Sequence, residues 1–334
     1  ANFVLVGHPE ATSALFADND LDEIRLDVKF KHFSKIEQKR KEALERDLLI
    51  SSDADFVPGK ISTAEQSFDC KLRLKGDLSD HWEGRKWSLR IRLKDGGTIF
   101  GMSSFSLQNP VTRGYTSEWL YLESLRRENL LAVRYRFANL TLNGKSMGIY
   151  AQEEHFSKEL VEAHKRREGI IVSFDEYRFR KMFPKIQGNL EWGSVYQSAD
   201  LQARSSKRIE LSPALQKQKV AAFNLLRGLQ EKKLAGDEVF APDRLGRFLA
   251  ISRLWNAEHG LLLDNVDFYF DPITNRLEPI GRDGNSLDLL DNGYSYFSGN
   301  WLPGVPDNWV NQALRSPRIA KAYVKHLDRV TRPS

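Results

Sequence analysis

Cysteine is almost absent: the 334 residues hold one, Cys70. A single cysteine makes no disulfide within the chain. It lies in an apparent strand, residues 68–74, where a buried and inert thiol is expected. One cysteine does not separate the cytoplasm from an exported compartment, so the localisation stays open. No apolar stretch approaches the roughly 18 residues that a membrane-spanning helix needs, and no transmembrane segment is expected. Residues 1–7 are mildly apolar but carry no signal-peptide pattern; the chain begins at Ala1, which leaves an earlier leader open. Long runs of one charge sign are also missing. Lys39-Arg40-Lys41 is interleaved with Glu37, Glu42 and Glu45, and Lys165-Arg166-Arg167 lies between Glu159 and Glu168, as on solvated helix faces. No internal repeat or low-complexity segment is found.

What is present is an ordinary globular composition, 41% hydrophobic and 28% charged, long enough for one large domain or two lobes. The formal net charge of +5 favours phosphate-bearing or polyanionic partners. No recognition motif accompanies it, so nucleic acid is not an expected partner. Period-two alternation marks strands near residues 22–30, 68–75 and 87–94, the last two flanking a polar loop over 76–85. Segments 136–142 and 147–152 pair across Asn143-Gly144, the strongest short hairpin signal. Helices are expected over 33–46, 118–129 with Thr116 or Ser117 as cap, and 156–167. After Gly169 the pattern reads as helical, with a helix opened by Ser212-Pro213, others over 245–256 and 316–329, and an irregular Trp/Pro-rich stretch at 301–306. The fold class expected is α+β. A strand-rich first part, residues 1–154, precedes a helix-rich second part, 155–334, with a cleft at their junction.

One hairpin interrupts the helices. Strands over 266–270 and 276–281 are joined by a Pro/Thr/Asn turn, so Asn265 enters and Asp283 leaves at the same open end. Strands in a pair lie about 5 Å apart, close enough for an amide oxygen and a carboxylate to share one hard cation. Oxygen ligands suit Mg²⁺ or Mn²⁺, and protein kinases hold their metals with an Asn and an Asp flanking a hairpin. A plain surface hairpin with polar ends has the same pattern.

Several segments together resemble the spore-coat CotH kinase family, an atypical branch of the protein-kinase-like fold. Leu72-Arg73-Leu74-Lys75-Gly76 and Arg85-Lys86-Trp87-Ser88-Leu89-Arg90-Ile91 look like its Arg-Gly and Lys-Ser strands. Asn143-Gly144 and the run from Gly148 through Tyr150 to Glu154 look like its Asn-Gly turn and Gly-x-Tyr-x-x-x-Glu strand. The 265–283 hairpin is similar to its Asn-led strand, and Pro279-Ile280-Gly281-Arg282-Asp283 to its Ile-Pro-Trp-Asp motif. The resemblance implies a two-lobed kinase-like enzyme that binds ATP with Mg²⁺ or Mn²⁺ and acts on a protein acceptor.

Within that frame Lys86 is the expected phosphate anchor, with Lys75 and Arg73 as competitors on the neighbouring strand. Glu118 and Glu123 lie where a kinase-like fold places the carboxylate that pairs with the lysine. Glu154 falls where the chain crosses between lobes, near the nucleotide, and reads equally as an acid at a helix start. Asn265 and Asp283 are the metal candidates. The chain departs from the family before Asn265, where Glu258-His259-Gly260 lacks the usual Asp. His259 with Glu258 is then the expected base or acceptor-orienting pair, and Asp264 is held in reserve. After Asp283, Asn285 replaces the family's second acid and removes a charge. The function expected is ATP- and metal-dependent phosphorylation of a protein hydroxyl. The alternatives are another transfer from ATP, such as nucleotidylation or carboxylate ligation, a silent pseudokinase scaffold, and a basic module for anionic polymers aided by the aromatic run at 294–301.

Overall fold

Alternating apolar side chains on seven strands wrap around one interior and close it. In the computed structural model residues 21–175, 196–263, 265–284 and 308–332 are described. The strands are β1 (Glu23–Asp27), β2 (Val57–Ser62), β3 (Ser67–Leu74), β4 (Leu89–Leu93), β5 (Ser104–Gln108), β6 (Tyr135–Leu142) and β7 (Lys145–Glu154). They follow the order β1-β2-β3-β4-β5-β7-β6 as a closed barrel. The seam is the parallel pair β1–β6, with Ile24 opposite Leu140; the other neighbours are antiparallel. Closure leaves no strand edge unpaired. Ile24, Leu26, Cys70, Leu72, Ile91 and Phe105 fill the interior with no exposed surface. Burial pushes the Cys70 thiol up to about 12, so it is inert as expected. Asn143 and Gly144 take positive φ angles of 49° and 77°, as a tight hairpin turn requires. The Asn143 side chain accepts a hydrogen bond from the Val28 amide at 2.7 Å, fixing this turn to the end of β1. Helix α1 (Phe30–Arg46) lies outside, burying Ile36 and Ala43.

A second core forms around an antiparallel sheet of order β11-β10-β8-β9, from β8 (Ile171–Phe174), β9 (Leu201–Ala203), β10 (Asp267–Asp271) and β11 (Arg276–Ile280). Helices α2 (Ser117–Arg127), α3 (Pro213–Gln230), α4 (Pro242–Leu254) and α5 (Pro317–Thr331) add apolar surface to it. Phe268 meets Trp309 edge-on at 5.1 Å in its centre. Although α2 lies between barrel strands in the chain, its Tyr121, Leu122 and Leu125 belong to this second core. Just past β11 the chain is stitched to residues that follow α2. The Gly281 amide donates to the Leu131 carbonyl at 2.8 Å, and the Gly281 carbonyl accepts from Val133 at 3.0 Å. A Cβ at Gly281 would come within 2.1 Å of the Leu125 side chain, which would have to move aside.

The mixed α+β class is as expected, and the strand-rich first half takes the form of a closed barrel. The run after Gly169 differs from expectation. Ile170-Ile171-Val172 is β-branched, and residues 171–174 form a strand between β10 and β9 rather than part of a helical region. Ser212 does cap α3, accepting from the Leu215 amide at 3.4 Å, whereas Thr116 makes no side-chain cap to α2. Residues 1–20, Asp264, Asn285 and the aromatic and Trp/Pro-rich stretches at 294–306 lie outside the described residues.

Candidate active site

Strand alternation puts Cys70, Leu72 and Leu74 inside the barrel, so Arg73 and Lys75 face outward. Lys75 continues the β3 ladder, its amide donating to the Ser88 carbonyl at 2.9 Å. Its Nζ donates to Gln108 Oε1 at 2.6 Å and lies 3.6 Å from Glu153 Oε2. The Gln108 amide completes the link by donating to the same Glu153 oxygen at 2.7 Å. Burial pushes the Lys75 ammonium down to about 8, against the attraction of Glu153. Burial also opposes charge on Glu153, but Lys75 and Arg113 outweigh it and hold the carboxyl at about 2.

Arg113 carries the contact across to the hairpin. It ends a 3₁₀ turn, Pro110–Arg113, set by Pro110 at its start and by Asn109, which accepts from the Val111 amide. Its Nη2 donates to Asp283 Oδ2 at 3.0 Å, and its Nε lies 3.9 Å from Glu153. Burial disfavours the Asp283 charge, yet Arg113, His259 and Arg282 keep its carboxyl well below the usual range. Asp283 adopts a left-handed φ of 51°, and its buried Oδ1 faces His259 Nδ1 at 3.3 Å. Backbone strain and a buried, loosely held carboxylate oxygen at one residue are features of a binding site.

His259 and Asn265 complete the chain of contacts. His259 Nδ1 lies 3.0 Å from the Asp283 carbonyl and 3.3 Å from its Oδ1, which assigns the proton to Nδ1. The Asn265 amide donates to the His259 carbonyl at 3.0 Å. Burial lowers the tendency of His259 to protonate, but the hydrogen bond and charge of Asp283 more than offset this, and its pKa is raised. The turn Glu258–Leu261 brings His259 here because residue 260 is glycine: a Cβ would meet the Arg282 carbonyl at 2.4 Å. Above the cluster, burial and then Lys75 and Arg113 hold the His81 imidazole down to about 3, so it stays neutral, beside the Ser88 hydroxyl at 3.0 Å.

The structure thus brings together Lys75, Asn265, Asp283 and His259 of the expected residues, and does not bring the others. Lys86 donates to the Ile149 carbonyl at 2.9 Å and lies over the Tyr150 ring, outside this chain of contacts. Glu154 is buried in a bidentate pair with Arg134. Glu258 pairs with Arg253 at 2.8 Å, beside Tyr323 of α5. Glu118 Oε2 accepts from the Gly284 amide at 2.9 Å and so fixes the backbone after Asp283. Glu123 pairs with Arg126 and Arg127 on the surface. Arg73 faces the same side as Lys75, donating to the Leu74 carbonyl at 2.9 Å. Sequence reasoning missed Glu153, Gln108 and Arg113. For Glu153 and Gln108 strand alternation was a usable signal, since each lies on the face opposite to buried Leu107 and Tyr150. For Arg113, in a loop, none existed.

Fold and site define a mixed α+β protein with a buried chain of ion pairs linking a barrel to a hairpin. Residues 72–219 match the family model of the CotH kinase protein, so over that stretch the chain is similar to CotH kinases. The matched stretch includes Lys75, Arg113 and Glu153 and ends before His259, Asn265 and Asp283. No curated protein matches the chain. The family match suggests a kinase-like transferase. No helix among the described residues is long and apolar enough to cross a membrane.

Proposed function

We propose that the protein is a two-lobed kinase-like transferase that uses ATP with Mg²⁺ or Mn²⁺ and phosphorylates a protein hydroxyl. The barrel would form one lobe and the chain beyond about residue 154 most of the other, with the site between them. The observation that carries the reading is the contact chain Lys75–Glu153–Arg113–Asp283–His259–Asn265. A strand-borne lysine steadied by a glutamate is what a kinase-like site needs to hold phosphates. Lys75, not Lys86, takes that role.

For the metal, the buried Oδ1 of Asp283, which faces His259 Nδ1 at 3.3 Å, and Asn265, bonded to the His259 carbonyl, offer the oxygen chemistry that Mg²⁺ or Mn²⁺ prefers. Among the described residues no three His, Cys, Asp or Glu side chains cluster to hold an ion alone. Asn265 and Asp283 would therefore hold it together with phosphate oxygens and water. When bound, the ion would neutralise charge on the transferring phosphoryl group. His259, in its neutral form, would take the proton of the acceptor hydroxyl. Glu258 is tied to Arg253 and would support His259 only through the turn they share.

The test is intact-mass measurement of the full chain and of offered acceptor proteins after incubation with ATP and Mg²⁺ or Mn²⁺. A gain of one phosphoryl group, lost in Asp283→Asn, is expected; a nucleotidyl gain would replace phosphorylation by nucleotidylation. The Arg113–Asp283 pair, which occupies one metal-facing oxygen, favours a second reading: a scaffold that binds nucleotide without transfer. ATP-dependent thermal stabilisation with no mass change would select it. Neither stabilisation nor mass change would overturn both.

A further inference from the structure

Three buried donors on the outer face of the barrel have no acceptor among the described residues: Nη1 of Arg90, Nε of Arg73 and Oγ of Ser106. They are neighbours by strand register. Arg73 is opposite Arg90 across β3–β4, and Arg90 is opposite Ser106 across β4–β5. Directly opposed residues have their Cβ atoms about 5 Å apart. Buried Leu72, Ile91 and Phe105 alternate with them, so all three face away from the barrel core. Ser106 is in turn opposite Glu153 on β7, which joins this row to Lys75.

The charges around the row are not balanced. Arg92 pairs with Asp53 at 3.1 Å, Lys75 with Glu153 and Arg113 with Asp283. Among the described residues Arg73 donates to the Leu74 carbonyl and rests on the Phe56 ring. Arg90 makes no ion pair among the described residues. Burial, then the repulsion of Arg73, Arg282 and Arg92, presses its guanidinium down to about 9 in spite of Glu153. A buried guanidinium and hydroxyl left without acceptors are costly to a folded protein, and such groups call for a ligand.

We propose that Arg90, Arg73 and Ser106 form a second anion seat beside Lys75 that takes a phosphate-type oxyanion. The planar guanidinium fork matches paired phosphate oxygens, and the Ser106 hydroxyl adds a further donor. Residues two apart on a strand are separated by roughly 6.5 to 7 Å. Lys75 and Arg73 therefore suit two ends of a polyphosphate tail better than one phosphate. The tail of a nucleotide and a phosphorylated acceptor both present this chemistry. The proposal rests on the phosphate role given to Lys75, and its readout is binding rather than transfer.

The experiment is thermal melting of the full chain at constant ionic strength, titrated with inorganic tripolyphosphate and, separately, with O-phosphoserine. Stabilisation of the wild type is expected. In Arg90→Gln the ligand-free melting temperature should be unchanged or higher, because an uncompensated charge is removed, while the tripolyphosphate midpoint rises about tenfold or more. Ser106→Ala should weaken binding less and serves if Arg90→Gln does not fold. Arg25→Gln, an equal change of charge at an exposed site on β1, should leave the midpoint alone. Stronger stabilisation by tripolyphosphate identifies a nucleotide tail; stronger stabilisation by phosphoserine identifies a phosphorylated acceptor. The seat is overturned if neither anion stabilises the wild type, or if Arg90→Gln melts lower and keeps the wild-type midpoint. Transfer by the wild type with an unchanged midpoint in Arg90→Gln would remove the seat and leave the transferase. Lost binding in the variant with no transfer by the wild type would do the reverse.

Discussion

Lys75 is held as a weak base, and that has a pH consequence of known sign. Burial places its ammonium at about 8 instead of 10.5. Binding of phosphates should be strong below pH 8 and fall as pH rises through it, since the neutral amine offers no charge. Stability moves the other way: between 8 and 10.5 the unfolded chain keeps a proton that the folded one has lost, so this residue's contribution improves with pH. Lys75→Met should weaken ATP about tenfold or more by thermal-shift titration, with Lys86→Met close to wild type. The reverse order would return the anchor to Lys86. Glu153 acts with the same sign in a lower window. Its stabilising charge is fully present above about 4.5 and lost as pH falls toward 2, on the order of 3 kcal/mol if the whole shift is realised. Acid denaturation followed by circular dichroism should show that loss, and Glu153→Gln should flatten it. In Asp283→Asn, Arg113 keeps its burial and loses its counter-charge, which typically costs about 3–5 kcal/mol. Urea unfolding of that variant against wild type measures it.

At the scale of elements, the hairpin β10–β11 places the site because its exit is clamped. Gly281 is bonded on both sides of its peptide to residues 131–133 and lies against Leu125. Gly281→Ala should cost about 1–3 kcal/mol by overpacking. Because Asp283 lies two residues on, ATP-dependent stabilisation should fall further than the melting temperature alone explains. Equal losses would show that the clamp supports the fold but not the site. The same scale shows what sequence patterns could tell. The hairpin, the Asn143-Gly144 turn and the Ser212-Pro213 start were legible because each depends on residues close in the chain. Glu154 was expected at the site while the contact chain holds Glu153, because a motif gives spacing, whereas the outward side of a strand depends on which face the barrel buries. Lys86 precedes β4 in a loop and lies outside the contact chain, whereas Lys75 extends an outward-facing row and is part of it. Ile171–Phe174 was hidden because a short apolar run suits either a strand or a buried helix.

For the whole molecule, two cores share one intermediate element. Helix α2 is threaded between barrel strands but packs with the second core, so the barrel and the second sheet are held together by more than the ion pairs of the site. Leu125→Ala removes buried contacts from that joint and should cost about 2–5 kcal/mol in urea unfolding. Closure of the barrel was not legible in the sequence, because alternation marks strands without saying which ones pair. Its seam has a consequence for synthesis. As the chain leaves the ribosome, β2 to β5 can pair in turn, but one side of β1 waits for Asn139–Leu142, which arrives only after α2 has been made. Until then the nascent protein is an open sheet with two bare edges. The hazard of edge-to-edge association therefore falls on the growing chain and ends, abruptly, when the ring shuts.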